Sequence, residues 1–272
     1  MFFQWFRDRR RRSILAEPFP EAWLRILDRN VYHYADLAPE ERVKLQDDLR
    51  ILYYEKNWEG CGGLALTDEI KVTIAAEASL LLLGFENQYF DMVLSILVYP
   101  DAYVAHGNEI VAGGLVVEGE SDREGEAWYR GPVVLSWMDA LAGARGESGG
   151  DNLVLHEFAH QLDMQNGRIA DGTPPLESLE EYRRWEAVLR SEYDRLVVDC
   201  RRRRPTLIDC YGTTSPAEFF AVVTECFFEQ PQGLSRRHPE LYRIFRDYYR
   251  QDPAHRGGKY DGPRHAGRFE NA

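Results

Sequence analysis

The sequence predicts an α+β domain in which helices surround a small, mostly antiparallel sheet. Two observations lead to this class. Apolar residues recur at helical spacing through about residue 83 and again after residue 150. The segment between these stretches combines β-forming residues with acidic, glycine-containing loops. Chains that keep strands apart from helices in this way typically fold as α+β domains.

The amino-terminal third is expected to be helical. Its third helix has the clearest start, because Thr67 suits an N-cap and the acidic residues Asp68 and Glu69 follow in the first turn. A glycine-rich turn at Gly60–Gly63 precedes this helix, and Gly84 is expected to end it. The three predicted helices are residues 20–29, 36–55 and 67–83.

Short strands are expected in the middle of the chain and helices again in its last half. The predicted strands are residues 92–99, 113–117 and 131–137. The predicted helices are residues 151–166, followed by Gly167 as a stop signal, and residues 178–202, 215–229 and 239–250. The expected organisation is a helical extension at 1–66 packed on the main domain, the main domain at 67–254 and a loose tail at 255–272.

The composition argues against several classes of protein. Acidic residues outnumber basic residues by 45 to 33, and the formal net charge of −12 disfavours contact with the phosphate backbone of nucleic acids. No apolar run approaches the roughly 20 residues that a membrane-spanning helix needs, and the amino terminus lacks the pattern of a signal peptide. A cytoplasmic protein that does not bind nucleic acid directly is therefore expected.

The four cysteines are expected to be reduced thiols. Cys61, Cys200, Cys210 and Cys226 show neither regular spacing nor a C-x-x-C pair. A chain of this length can bury a core without disulfides. The sequence therefore predicts neither a disulfide framework nor a thiolate zinc site.

One short motif carries chemistry. Residues 156–160 read His-Glu-Phe-Ala-His, and histidines four positions apart, here His156 and His160, lie on the same face of a helix. Both imidazoles can bind one Zn²⁺ ion, while Glu157 can accept a proton from a water that the ion polarises. The apolar flank Leu153–Leu155 predicts a buried helix, in which unpartnered histidines would be costly. Two hydrogen-bonded histidines on an ordinary helix are the alternative.

A third protein ligand is expected, because catalytic zinc sites usually combine three protein ligands with one open position. Glu218 is a candidate near the start of the helix predicted at 215–229. It fits equally well the capping box that Ser215 would form, with Pro216 at the first helical position. Glu225 lies seven residues on, on the same face, and is the rival ligand or a residue that orients a ligand. The residues alone leave these alternatives open.

Two segments resemble one known family. His-Glu-Phe-Ala-His-Gln-Leu-Asp (156–163) and Tyr-Gly-Thr-Thr-Ser-Pro-Ala-Glu-Phe-Phe-Ala (211–221) are similar to the Mlc titration factor A family of zinc metallopeptidases. Further similar stretches extend the resemblance over about residues 15–254. The two segments are also similar to the protease domain of anthrax lethal factor. The resemblance implies a zincin-like catalytic domain of the gluzincin type at 67–254, with one Zn²⁺ per chain.

The resemblance also implies residue roles. His156 and His160 would bind the metal, and Glu218 would be the third ligand. Glu157 would act as general base, and Tyr211 would donate a hydrogen bond to the developing oxyanion. From the residues alone, a packed loop tyrosine is the alternative reading of Tyr211.

Asp163 and the segment 131–137 each have two interpretations. Asp163 could accept the spare N–H of a ligand imidazole, or it could hold the helix end. Residues 131–137 could form the edge strand to which an extended peptide substrate adds, or they could form a plain core strand.

The predicted function is hydrolysis of peptide bonds by zinc-activated water, with aminopeptidase activity as one candidate specificity and exo versus endo cleavage left open. The family is associated with the transcriptional repressor Mlc, so the resemblance also implies a repressor as a partner. The alternative is a regulatory protein that sequesters a repressor and keeps only a structural or vestigial zinc site. A zinc hydrolase of non-peptide amides would share the same chemistry.

Overall fold

The structure is a computed structural model that describes residues 2–101, 131–167 and 170–256. Within these residues it contains ten α-helices and three strands. In chain order they are α1 (Phe2–Ala16), α2 (Glu21–Asn30), α3 (Pro39–Glu55), β1 (Asn57–Gly60), α4 (Asp68–Leu80), β2 (Ser95–Tyr99), β3 (Val133–Ser136), α5 (Trp137–Ala144), α6 (Leu153–Asp163), α7 (Leu179–Arg201), α8 (Pro216–Glu229), α9 (Pro231–Arg237) and α10 (Pro239–Tyr249). Short 3₁₀ helices lie at Tyr32–Asp36, Met164–Asn166, Cys210–Thr213 and Pro253–His255.

The three described strands form one parallel sheet in the order β1-β2-β3. Trp58 of β1 pairs with Ile96 of β2, and Val98 of β2 pairs with Leu135 of β3. The prediction of a mostly antiparallel sheet is therefore wrong. Helix α4 separates β1 from β2 and a long connection separates β2 from β3, so each strand can re-enter the sheet in the same direction. The broader prediction of an α+β chain with a small sheet is confirmed.

Strand β1 occupies residues where the sequence suggested no strand. Gly60 ends this strand, and a Cβ atom there would lie 2.1 Å from the carbonyl oxygen of Leu64. Only glycine therefore allows the chain to pass itself so closely. The predicted turn follows directly, because Gly62 and Gly63 both have positive φ.

The predicted helices are confirmed, with small shifts at their ends. Thr67 caps α4 as expected, since its hydroxyl oxygen accepts a hydrogen bond from the Ile70 amide at 3.4 Å. Helix α1 lies within the helical extension expected at 1–66, although no separate pattern marked it. No pattern predicted α5 or α9, which have only 8 and 7 residues, too few for a clear helical period. Among the described helices, none combines the length and the hydrophobicity that crossing a membrane requires.

The predicted strands, the predicted tail and the predicted domain boundary differ in outcome. Strands β2 and β3 lie within the segments predicted at 92–99 and 131–137. The strand predicted at 113–117 lies outside the described residues, as does the predicted tail from residue 257 onward. The division of the chain at residue 66 stays a prediction.

One hydrophobic core joins the amino-terminal helices to the rest of the chain. Leu49 of α3 belongs to the same buried cluster as Ile74 of α4 and Phe220 of α8. Every residue of α8 from Phe219 to Glu229 is buried. Because α8 packs against α6 in this interior, polar side chains on the facing sides of these two helices must bond to one another.

The expectation of reduced cysteines is corrected for one pair. Cys200, near the end of α7, and Cys210, in the following 3₁₀ helix, form a disulfide with their Cα atoms 5.9 Å apart. Their separation of 10 residues in the sequence matches no recognised pattern, so the pair was not predicted. Cys61 and Cys226 are free thiols, as predicted.

Candidate metal centre

Helix α6 holds His156 and His160 side by side. Asn152 begins the helix, and its side-chain oxygen accepts a hydrogen bond from the Leu155 amide at 3.1 Å. The apolar residues that bury this helix are Val154, Leu155, Phe158, Ala159 and Leu162. The two imidazole rings lie 4.9 Å apart between centroids, as expected for side chains one helical turn apart.

Glu218 joins these histidines from the first turn of α8. Ser215 caps the helix, because its hydroxyl oxygen accepts a hydrogen bond from the Glu218 amide at 3.2 Å. The Glu218 carboxylate reaches the histidines: Oε2 lies 3.0 Å from Nε2 of His156, and Oε1 lies 3.5 Å from Nε2 of His160. The backbone of Glu218 therefore serves the cap, while its side chain joins the cluster.

This donor set fits a zinc ion. One nitrogen of His156, one nitrogen of His160 and one oxygen of Glu218 all lie within 4.8 Å of one another. Two imidazoles and a carboxylate are typical protein ligands of a catalytic zinc ion. The Glu218 side chain keeps 17% of its surface exposed, so the cluster is open to water on one side.

Glu225 orients one of the histidines. Its Oε1 accepts a hydrogen bond from Nδ1 of His156 at 2.7 Å, and its Oε2 accepts one from the backbone amide of Asn152 at 2.6 Å. The first bond leaves Nε2 of His156 facing Glu218 and His160, as a metal ligand requires. Of the two roles considered for Glu225, the geometry agrees with the orienting role.

Without a metal ion the cluster holds a proton. Burial disfavours the charged form of His156, but its hydrogen bonds to Glu218 and Glu225 outweigh burial and raise its pKa to about 10. Burial likewise works against the Glu218 carboxylate, but its bonds to His156 and His160 outweigh burial and lower its pKa to about 2. Near neutral pH the metal-free pair is therefore an ion pair, and a metal ion must displace its proton.

Glu157 and Tyr211 lie beside this cluster. Burial raises the pKa of the Glu157 carboxyl group, against the opposing effect of both neighbouring imidazoles. Tyr211 lies in the 3₁₀ helix at Cys210–Thr213, where Oδ1 of Asp209 accepts a hydrogen bond from its amide at 2.6 Å. The ring centroid of Tyr211 is 6.2 Å from that of His156, and Tyr211 is 38% exposed. The fold thus brings five predicted site residues to one place: His156, Glu157, His160, Tyr211 and Glu218.

Asp163 holds the loop that follows α6. Its Oδ2 accepts a hydrogen bond from the Gly172 amide at 2.7 Å, and burial raises its pKa to about 6. Gly172 has positive φ, and a Cβ atom there would lie 2.5 Å from the carbonyl oxygen of Pro216. Asp163 therefore ties α6 to a loop that passes tightly over the start of α8. Within the described residues, Oδ1 of Asp163 and Nδ1 of His160 have no hydrogen-bond partner.

Sequence reasoning missed Asn152. Besides capping α6, its side-chain amide donates hydrogen bonds to Oε2 of Glu77 at 2.7 Å and to Oε1 of Glu229 at 3.0 Å. A signal was present, because asparagine directly before an apolar helical run is a favoured N-cap. Its acidic partners come from α4 and α8, so no local pattern could connect them.

The comparison with known proteins identifies the family. The family described as glucose-regulated metallo-peptidase M90 matches this chain over residues 5–250. The chain belongs to the M90 metallopeptidase family. The matched region of this M90 protein contains all of α6 and α8, the two helices that supply the candidate metal ligands.

Several relatives of this M90 protein are similar over most of their length. An uncharacterized protein of Synechocystis sp. is 38% identical over 247 residues, which cover 90% of each chain. Mlc titration factor A of Yersinia enterocolitica is 32% identical over 226 residues, covering 82% of this chain and 84% of the relative. Mlc titration factor A of Serratia proteamaculans is 36% identical over 193 residues, covering 70% and 72%. The family resemblance inferred from the sequence is therefore confirmed.

Proposed function

We propose that this M90 protein is a zinc-dependent peptidase that hydrolyses peptide bonds with water. The observation that carries the proposal is the convergence of His156, His160 and Glu218 between two packed helices, with ligand atoms within 4.8 Å of one another. The family match supports a metallopeptidase. The zincin-like, gluzincin-type assignment of the domain belongs to this proposal.

The side chains around the cluster supply the remaining chemistry. Zn²⁺ bound there would act as a Lewis acid and lower the pKa of water at its open position. Glu157 accepts a proton from the attacking water and returns it to the leaving amine. Its burial supports this role, because burial moves its pKa upward, toward the working pH. Tyr211 donates its phenol hydrogen to the carbonyl oxygen as negative charge develops there.

The substrate is proposed to bind as an extended peptide along β3. This strand pairs with β2 on one side, and within the described residues no strand pairs with its other side. An extended segment can add to such an edge through main-chain hydrogen bonds. Strand β3 also contacts α6, which carries His156 and His160, so a peptide on this edge would pass near the ligands. Aminopeptidase activity is the specificity to test first.

The test combines metal content with turnover. The full chain and the variants Glu157→Gln and Glu218→Gln are loaded with Zn²⁺, freed of excess metal and assayed on chromogenic aminoacyl and short peptide substrates. Glu157→Gln is expected to hold as much zinc as the wild type and to lose turnover by about 100-fold or more, because the general base is gone. Glu218→Gln is expected to hold about one zinc ion fewer per chain and to be inactive.

A matched control shows whether a Glu→Gln change outside the site affects zinc content or rate. Glu186 lies exposed on α7 and is not among the candidate ligands, so Glu186→Gln should change neither zinc content nor rate. The proposal fails if Glu157→Gln keeps the wild-type rate. The assignment of Glu218 fails if Glu218→Gln keeps all of its zinc.

A second function is proposed because two relatives carry the name Mlc titration factor A. In this reading the protein binds a repressor of the Mlc type in the cytoplasm. Gel filtration of a purified Mlc-type repressor with the wild type and with Glu157→Gln tests it. Equal complex formation by both proteins would assign binding to a surface that does not depend on catalysis. Failure of both to bind would exclude this function.

A further inference from the structure

A second cluster of potential metal ligands is buried away from the first. His33 lies in the 3₁₀ helix at Tyr32–Asp36, Glu77 in α4 and Glu229 at the end of α8. One ligand atom from each residue lies within 4.8 Å of the others. The three residues are 7%, 0% and 8% exposed, so all are removed from bulk water.

The hydrogen bonds of this cluster leave one carboxylate oxygen without a partner among the described residues. Oε1 of Glu229 lies 3.1 Å from Nε2 of His33 and accepts a hydrogen bond from Nδ2 of Asn152 at 3.0 Å, while its Oε2 accepts one from the Tyr32 hydroxyl at 2.6 Å. Nδ2 of Asn152 also donates to Oε2 of Glu77 at 2.7 Å. Oε1 of Glu77 is buried and has no partner among the described residues. A buried carboxylate oxygen without a donor is destabilising, so this atom calls for a ligand.

The charges of the cluster point to a cation. Two carboxylates face one imidazole, so even a protonated His33 leaves an excess negative charge in the interior, where an unpaired charge is costly. The guanidinium of Arg256 lies near enough to repel a protonated His33, but it donates its hydrogen bond to Glu41 and not to this cluster.

We propose that His33, Glu77 and Glu229 form a second metal site, which binds a divalent transition ion. One imidazole and two carboxylates suit ions such as Mn²⁺, Fe²⁺ and Zn²⁺. A divalent ion balances both carboxylates with His33 neutral, and it gives the free oxygen of Glu77 a partner. No ligand of this site belongs to the first cluster.

The two clusters have closely similar metal-free geometry. Nε2 of His33 lies 3.1 Å from Oε1 of Glu229, and Nε2 of His156 lies 3.0 Å from Oε2 of Glu218. In both, the carboxylate belongs to α8 and occupies the place beside the imidazole nitrogen that an ion would take. The second cluster differs in its burial, because none of its residues is more than 8% exposed. An ion there has no open side for substrate and serves the structure.

The second site lies where a bound ion would support the first cluster. Asn152 donates hydrogen bonds to both of its carboxylates, caps α6, and donates its backbone amide to Glu225. Glu225 in turn holds His156. An ion bound by Glu77 and Glu229 would fix Asn152 and, through it, the start of the helix that carries the first cluster.

Metal counting tests the proposal without relying on activity. A first-site knockout carries Glu218→Gln and His160→Gln, and a second-site knockout carries His33→Gln. Each protein is stripped with a chelator, loaded with Zn²⁺ alone or Mn²⁺ alone, desalted and analysed for metal. With at least one of these metals, the wild type should hold about two ions per chain and each knockout about one, as two separate clusters predict. Combining the knockouts should remove both, and Glu186→Gln should remove neither.

The outcomes separate this proposal from the proposed function. A wild type that never exceeds one ion, together with a first-site knockout that holds none, overturns the second site and leaves the peptidase intact. A first-site knockout that still holds one ion supports the second site even if the protein proves to have no peptidase activity.

Thermal unfolding guards against a His33 variant that does not fold. The first-site knockout keeps the second cluster unaltered, so Mn²⁺ or Zn²⁺ in large excess over its dissociation constant should raise its melting temperature by about 5 °C or more. The rise should be absent when His33→Gln is added. No rise with either metal in the first-site knockout contradicts the proposal.

Discussion

At the scale of single residues, Glu225 links the start of α6 to one of its histidines. It bonds the backbone amide of Asn152 and Nδ1 of His156 with its two oxygens. The imidazole therefore keeps one orientation before any metal arrives, and it keeps its Nδ1 proton when a metal displaces the proton on Nε2. Carboxylates in this position act on a metal site without touching the metal.

Replacing Glu225 by glutamine tests this role. The amide keeps the size of the side chain but loses the charge that favours Nδ1–H on His156, so zinc affinity is expected to fall by about 10–100-fold. Titration against a competing chelator measures the affinity, and Glu186→Gln is the control. An unchanged dissociation constant would mean that His156 is oriented by its packing alone.

Proton release is a second prediction for these residues. The pKa of metal-free His156 is raised to about 10, so at any pH below that value zinc must replace a proton. Zinc affinity should therefore fall as the pH is lowered, by about tenfold per unit for one displaced proton. Calorimetry in two buffers of different ionisation enthalpy counts the protons, and a count of zero would contradict the ion pair of His156 and Glu218.

The sequence predicted the site residues that share one helix better than the site residue that a second helix contributes. The spacing of His156 and His160 is local, and α6 alone brings them together. Glu218 could not be separated from a helix cap, because Ser215 really does cap α8. Only the packing of α8 on α6 directs the Glu218 carboxylate to the imidazoles. The cluster at His33 has no local pattern at all, since its members come from three separate elements.

At the scale of elements, α8 presents three glutamates to the interior. Glu218, Glu225 and Glu229 are seven and four residues apart, which places them on one face that spans about 40° around the helix. In order along this face they contact the histidine cluster, the ring of His156 and the second cluster. A small shift of α8 would therefore change all three contacts together.

The cap of α8 should matter for metal binding as well as for stability. Ser215 and Ser178 cap α8 and α7 with the same geometry, each accepting from the third helical amide at 3.2 Å. Ser215→Ala and Ser178→Ala should each lower the free energy of unfolding by about 1 kcal/mol. Only Ser215→Ala should also weaken zinc binding, because only α8 carries Glu218. Urea unfolding and chelator titration measure the two effects, and equal zinc affinities in both variants would contradict the coupling.

Elements were predictable where their pattern is local. The long helices follow from apolar spacing and caps such as Thr67, whereas the direction of the strands depends on how the chain returns between them. Nothing in residues 92–99 distinguishes a parallel from an antiparallel partner. Strand β1 was hidden because Gly60 is read as a turn, although here it permits a close approach to Leu64.

At the scale of the whole molecule, a bound ion would connect distant parts of the chain. His156 and Glu218 are separated by α7 and its flanking loops, and both helices that carry them belong to the one core. An ion that binds only the folded chain stabilises it by about 4 kcal/mol when its concentration is 1,000 times the dissociation constant.

Chelation should therefore lower the melting temperature. For a chain of this size, a loss of about 4 kcal/mol corresponds to a decrease of the order of 10 °C. Calorimetry of the zinc-loaded and chelated wild type measures the decrease, and the variant with Glu218→Gln and His160→Gln provides the reference without the first site. Equal melting temperatures with and without chelator would argue against any metal that supports this fold.

The disulfide determines whether the chain stays in one piece after a protease cuts it between Cys200 and Cys210. Residues 201–204 are four exposed arginines in the loop that Cys200 and Cys210 close, an accessible target for trypsin. A single cut there would divide the chain between the histidines of α6 and Glu218 of α8. The oxidised protein would nevertheless migrate as one species on a gel, while reduction would release two fragments. After that cut and reduction of the disulfide, the candidate metal centre would be a junction between two polypeptides, held together only by packing and by whatever ion bridges them.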